Sequence, residues 1–244
     1  MTTGEAALPR AVELMWGLAQ PAGRGPKRAL TIDQIIDAAI EVADAEGVAA
    51  LSMSRVAKQL GFTAMSLYRY VDSKDTLLDL LMDRVVGAPP DIPAGTSWRA
   101  GLEQWAFAEF DRIGRHPWWI DIPLARPPMG PNNMAWLEVA LGTLAGTDVP
   151  EPAKLQLVMN VSVYVIGKRR MLRDLQTVEG ADFASVMARV LDPRRFPAVT
   201  AAMSGAAFDG DEDEIDIDWA RADFEFGLAR MLDGFEVFIR TFAE

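Results

Sequence analysis

Apolar residues recur at intervals of three and four along most of the chain, the period of a helix with one buried face. The clearest case is residues 31–47, where Ile32, Ile35, Ile36, Ala39 and Ala43 form one stripe. Thr31 and Gln34 have capping-box spacing there, and Gly47 supplies the stop. Two short helices are predicted next, at 53–60, capped by Ser52 and ended by Gly61, and at 64–70, capped by Thr63. Ser73 then opens a longer helix through Leu77, Leu78, Leu81 and Val85. Before these, residues 1–28 hold a weakly helical stretch, 8–18, followed by Pro21, Gly23, Gly25 and Pro26, and read as a flexible arm.

Pro89, Pro90, Pro93 and Gly95 mark a linker over 88–96. Beyond it the alternation expected of strands is missing, and helices are predicted at 97–114, 117–125, 132–145, 151–175, 182–191, 196–203 and 218–242. The predicted fold class is all-α, with a small unit at 29–87 and a larger helical domain at 97–244.

Composition narrows the chemistry. Among 244 residues there is no cysteine and one histidine, His116, which excludes thiol catalysis, disulfides and Cys-rich metal centres. No metal, cofactor or catalytic residue is expected. No apolar run approaches the ~18 to 20 residues of a membrane helix, and no signal-peptide pattern opens the chain, so a cytoplasmic location without membrane contact is expected. The net charge of -11 argues against nucleic acid as an average, but residues 24–84 carry eight bases and nine acids, so the acidity belongs mainly to the larger domain. Between Ser52 and Lys74, the bases Arg55, Lys58, Arg69 and Lys74 face Asp72 alone, and Arg24, Lys27 and Arg28 precede them.

That basic segment also has a particular spacing. Ala57, Gly61 and Leu67 fit a helix-turn-helix: a small residue allows a close crossing, glycine takes the left-handed turn, and an apolar residue anchors the second helix. Thr63, Ser66, Tyr68 and Tyr70 place hydroxyls where a recognition helix offers them to phosphates and base edges. The run from Thr31 through Ile35-Ile36-Asp37-Ala38-Ala39, Leu51 to Ala57, Gly61-Phe62-Thr63, Ser66 to Val71 and Ser73 to Leu78 resembles the DNA-binding domain of the tetracycline-repressor (TetR) family. The larger domain is similar to that family's ligand-binding and dimerisation domain, through Arg115-His116-Pro117-Trp118, Arg126 to Asn132 and Phe224 to Leu228.

The resemblance implies an all-helical homodimer that binds a palindromic operator and lets go when a small molecule enters the larger domain. By motif position, Ser52, Met53, Ser54, Ala64, Met65, Ser66, Tyr68, Tyr70 and Lys74 match the family's DNA-facing positions, with Lys74 as the phosphate contact. Arg55, Thr63 and Arg69 join them as candidates from the local charge and hydroxyls. Ala64 and Met65 depart from the usual hydrogen-bonding side chains, so readout there is expected to lean on thymine methyls.

In the larger domain, Trp105, Trp118, Trp119, Met129, Trp136 and Tyr164, with the amides of Asn132, Asn133 and Asn160, are the candidate lining for a small, largely apolar or aromatic effector. Core packing is the competing reading for each. In the last helix, Phe224, Leu228, Met231, Phe235 and Phe238 make an apolar stripe beside a line of small residues, Ala220, Gly227 and Gly234. Both are expected at a homodimer interface. His116 before Pro117 reads as a helix-end residue, since one histidine cannot rebuild the drug-metal site of the tetracycline sensors. Residues 209–218 hold seven acids, but Glu214 and Ala220 break the calcium-loop pattern, leaving a solvated loop. Besides the ligand-responsive regulator, a helical enzyme or a protein-binding scaffold carrying the motif remains as an alternative.

Overall fold

The computed structural model describes residues 7–19, 30–123, 127–176, 183–204 and 217–243. Among these there are α-helices and short 3-10 turns and no strand. The helices are α1 (Arg10–Met15), α2 (Ile32–Glu46), α3 (Met53–Leu60), α4 (Ala64–Tyr68), α5 (Lys74–Val86), α6 (Trp98–Arg115), α7 (Pro131–Thr143), α8 (Glu151–Gln176), α9 (Phe183–Val190), α10 (Pro197–Ser204) and α11 (Ile217–Arg240).

Local sequence explains most of the boundaries. The Gln34 backbone N–H donates to Thr31 Oγ1 at 3.1 Å while the Thr31 N–H donates to Gln34 Oε1 at 3.0 Å, so the capping box closes and α2 starts where expected. Ser52 and Ser73 cap α3 and α5 in the same way, each accepting from the backbone N–H three residues on. Thr63 does not: its hydroxyl lies 3.0 Å from that of Ser66, and side chain pairs with side chain instead of with the helix backbone.

The expected helix over 117–125 is a correction. Among its described residues, 117–123, only a 3-10 turn, Pro117–Asp121, forms. Pro123 pushes Ile122 into an extended backbone, with φ -77° and ψ 118°, and a helix cannot pass through that residue. The arm is also tied down in part. Ala11 of α1 is buried, Leu14 and Met15 pack on the core below, and the Trp16 indole N–H donates to the Met129 carbonyl at 2.8 Å. The glycine- and proline-rich run 20–29 and most of the acidic run lie outside the described residues.

Two cores result. Ile35, Val42, Val56, Leu67, Leu77 and Leu81 centre the first, within α2 to α5. Leu102, Phe110, Val161, Val165, Phe224 and Leu228 centre the second, within α6, α8 and α11. Trp118 and Ile122 of the larger domain are buried in the first core, and Trp119 packs on both, so the turn at 117–121 rivets the two together. Asp44 of α2 completes the joint, accepting from the Trp118 indole at 2.6 Å and meeting His116 Nδ1 at 2.7 Å.

Candidate functional site

The first site is the unit α3, turn, α4. Ala57 is 1% exposed where α4 crosses, Gly61 takes the left-handed conformation with φ 74° and ψ 26°, and Leu67 is fully buried beneath α4. These three positions therefore fix the crossing, and the outward faces follow from it. Ser52, Ser54, Thr63, Met65, Tyr68, Arg69 and Lys74 are exposed, Met65 at 76%, while Ala64, Ser66 and Tyr70 are half-buried.

Two candidates sit elsewhere. Met53 is buried in the first core, because α3 turns that side of its first turn inward. Arg55 is drawn to Glu46 of α2, with Nη2 to Oε1 at 2.5 Å, and also donates to Gln59. The hydrogen bond from Arg55 holds the Glu46 carboxyl below its usual range, so this arginine braces α2 against α3. Among the described residues Lys58, Arg69 and Lys74 have no ion pair, which leaves their charge open on this face.

The second site is a cavity of about 460 Å³ walled by α6, α7 and α8. Trp105, Trp119, Asn133 and Trp136 of the candidate group line it. The other five do other work. Trp118 fills the first core, Met129 lines a separate space of about 270 Å³ between α1 and α5, and Asn132 holds Asp83. Asn160 is exposed on α8, and Tyr164 stacks on Phe224 while its hydroxyl donates to the Phe224 carbonyl at 2.9 Å.

Sequence reasoning missed Glu109 and Ser162. Glu109 interrupts the apolar stripe of Trp105 and Ile113 on α6, and Ser162 interrupts that of Val158 and Val165 on α8; a polar residue inside such a stripe was the available signal. The Ser162 hydroxyl donates to Glu109 Oε1 at 2.7 Å. Glu109 Oε2 and Trp119 Nε1 are buried on the cavity wall without a partner. Burial pushes the Glu109 carboxyl up to about 7, against which the Ser162 bond works only in part.

That shift has a consequence for stability. An unfolded glutamate titrates near 4.5, so between there and about 7 the folded state holds a proton that the unfolded chain has lost. The contribution is full below the lower value and is lost as pH rises through the upper one. Glu109→Gln carries no such proton, and urea unfolding at roughly pH 4 and pH 8 should show it gaining about 3 kcal/mol on the parent between them. A parallel pH profile for the two proteins would contradict the assignment.

The cavity is wired to the first site through Asp83 of α5. This carboxylate is buried and accepts from the Asn133 backbone N–H at 3.0 Å, the Asn133 amide at 2.8 Å and the Asn132 amide at 3.0 Å. Gly130 brings no side chain to cap α7, so a residue from another helix caps it. The Trp136 indole adds a bond to the Gly87 carbonyl at the end of α5, at 2.9 Å.

The dimer candidates divide. Phe224 and Leu228 are buried within the chain, and Met231 and Phe235 pack on the same core. A Cβ on Gly227 would strike the Tyr164 hydroxyl, so its close crossing is with α8 of its own chain; Ala220 is likewise half-buried against the second core. Phe238 and Gly234 remain exposed, beside Phe226 and Val237, each 66% exposed.

The family model of the tetracycline repressor-like C-terminal domain matches residues 89–239, and that of the tetR family of bacterial regulatory proteins matches 35–81. The chain belongs to the TetR family. It is similar to the transcriptional repressor DrrR1 of Streptomyces coeruleorubidus, with 37% identity over 98% of this chain and 89% of that one. A transcriptional regulator of Saccharopolyspora erythraea shares 38% identity over 58% of this chain and 60% of its own. Among solved structures, ActR of Streptomyces coelicolor in complex with actinorhodin superposes with a TM-score of 0.72 at 25% identity, covering 86% of this chain and 98% of ActR. As a member of the TetR family the protein is a helix-turn-helix transcriptional regulator and not an enzyme. Among the described residues no helix is long and apolar enough to cross a membrane.

Proposed function

We propose that this TetR-family regulator is a cytoplasmic repressor that binds a palindromic operator as a homodimer and is released by a small, largely apolar or aromatic molecule held between α6, α7 and α8. The observation that carries this reading is the Asp83 cap. A ligand among Trp105, Asn133 and Trp136 presses on α7, and α7 is hydrogen-bonded to the helix that follows the recognition helix. Half-sites about 34 to 36 Å apart tolerate little misplacement, so a ligand preferring another spacing weakens binding by its differential affinity. ActR, solved in complex with actinorhodin, supports a small-molecule effector. The two-fold contact is assigned to the outward faces of α8 and α11, where Val163, Phe226 and Val237 are exposed and Gly167 and Gly234 leave open space.

The test is a thermal-shift screen followed by operator binding. A true effector raises the melting temperature and weakens the DNA complex, and Trp136→Ala blunts both effects. Stabilising ligands that all leave operator affinity unchanged would reject the switch.

DNA contact rests on the α3 to α5 face. Lys74→Ala should weaken binding alike on all sequences and lower the salt slope by about 1, whereas Ser66→Ala and Tyr68→Phe should cost more on the preferred site than on random DNA. Salt-dependent titrations of the three variants check this, and parent-like binding by all of them overturns it.

A further inference from the structure

The cavity wall carries an acid with one oxygen that no described residue satisfies. Glu109 is buried on α6 with one oxygen bonded to Ser162 of α8 and the other, Oε2, unpartnered on a cavity wall that also carries Trp105, Trp136 and Ile113. Leaving a buried carboxylate oxygen unmet costs free energy, and that cost is recovered when a ligand supplies the donor. A core that only needed filling would be served better by an apolar side chain.

The charges nearby narrow the donor further. Arg112, one turn along α6, lines the same cavity, but it lies against Gly87 and aims Nη2 at the Ala88 carbonyl, 3.5 Å away, without pairing with Glu109. From α8 the acid meets only the Ser162 hydroxyl, and the polar group on the α7 wall is the neutral Asn133 amide, already engaged with Asp83. Among the described residues no cation pairs with Glu109. The larger domain is itself acidic, with 15 bases against 24 acids over 85–244, so its field favours positive ligands.

Resting on the effector reading above, we infer that the cavity selects aromatic molecules bearing a protonated amine, whose N–H donates to Glu109 Oε2. A hydroxyl would meet the oxygen but leave the charge uncompensated; an ammonium supplies bond and charge together. Trp119 Nε1 is the other unmet polar atom on the wall and leaves room for a ligand oxygen as acceptor.

The experiment uses three probes of nearly one shape, 9-(aminomethyl)anthracene, 9-(hydroxymethyl)anthracene and 9-methylanthracene, titrated by fluorescence against the full chain and its Glu109→Gln variant. The parent should bind the amine at least about tenfold more tightly than the other two. In Glu109→Gln that preference should vanish while the methyl compound keeps its affinity, which also shows the cavity intact. Between roughly pH 8 and pH 6 the parent should lose affinity for the amine as Glu109 takes up its proton, and the variant should not. Equal binding of all three probes by the parent overturns this inference and leaves the effector cavity standing. Failure of all three probes to bind overturns both. A preference that survives Glu109→Gln places the amine elsewhere and overturns the assignment to Glu109.

Discussion

Asp83→Ala is expected to destabilise the protein by about 2 to 4 kcal/mol and to disconnect ligand binding from DNA release. The carboxylate is 5% exposed and serves two backbone N–H groups and two side-chain amides at the start of α7. Alanine leaves these donors unmet in a place water reaches poorly, and Gly130 has no side chain to replace the cap. The variant keeps the cavity lining, so an effector still binds and still raises the melting temperature. What it loses is the Asp83 link between α7 and α5, on which the proposed switch depends. Operator affinity in the presence of saturating effector should therefore fall much less than in the parent. Denaturant unfolding together with operator titrations, with and without effector, checks both parts; parent-like stability and full release would refute the linkage.

The second large effect is expected at the two-fold contact. Val163→Asp on α8, or Phe226→Asp on α11, puts a carboxylate where each copy presents an apolar side chain that is about two-thirds exposed in the single chain. Two-fold symmetry doubles every such change, and like charges brought into one interface cost far more than either exposed residue contributes to the monomer. Loss of the dimer removes the second half-site from the same binding event, and operator affinity should drop by about 100-fold or more. Gly227→Leu serves as the contrast. Its new side chain meets Tyr164 of its own chain, so it should lower the melting temperature before it changes the mass. Light scattering at micromolar concentration separates the two classes. A parent-like dimer from both aspartate variants would move the contact to another face.

Much of the first domain was legible because its signals are local. A capping box, a left-handed glycine and two serine caps act within four residues of themselves, and the structure shows each where the sequence places it. The residues that failed did so because their partners are far away in sequence. Met53 faces the core because of how α3 lies on its neighbours, and Arg55 is taken up by Glu46 of the preceding helix. The cap of α7 comes from Asp83, about fifty positions earlier, and no pattern within α7 announces it. The aromatic and amide group reached the wall at Trp105, Trp119, Asn133 and Trp136 but missed its acid, Glu109, and Ser162. Trp118 and Trp119 are adjacent in sequence, yet the turn at 117–121 sends the first into one core and leaves the second on the cavity. In α11 the apolar stripe was real, but Phe224 and Leu228 were claimed by α6 and α8 of the same chain.

As proposed above, this chain reads DNA as a symmetric pair whose hold is set by the effector cavity. The most direct test is selection of bound sites from a random double-stranded DNA pool by the full-length protein, with and without a ligand shown to stabilise it. The account predicts one enriched motif with two-fold symmetry and half-site centres about one helical turn apart, or a small multiple of it, and loss of that enrichment when the ligand is present. No enrichment, an unpaired asymmetric motif, or enrichment indifferent to the ligand would contradict it.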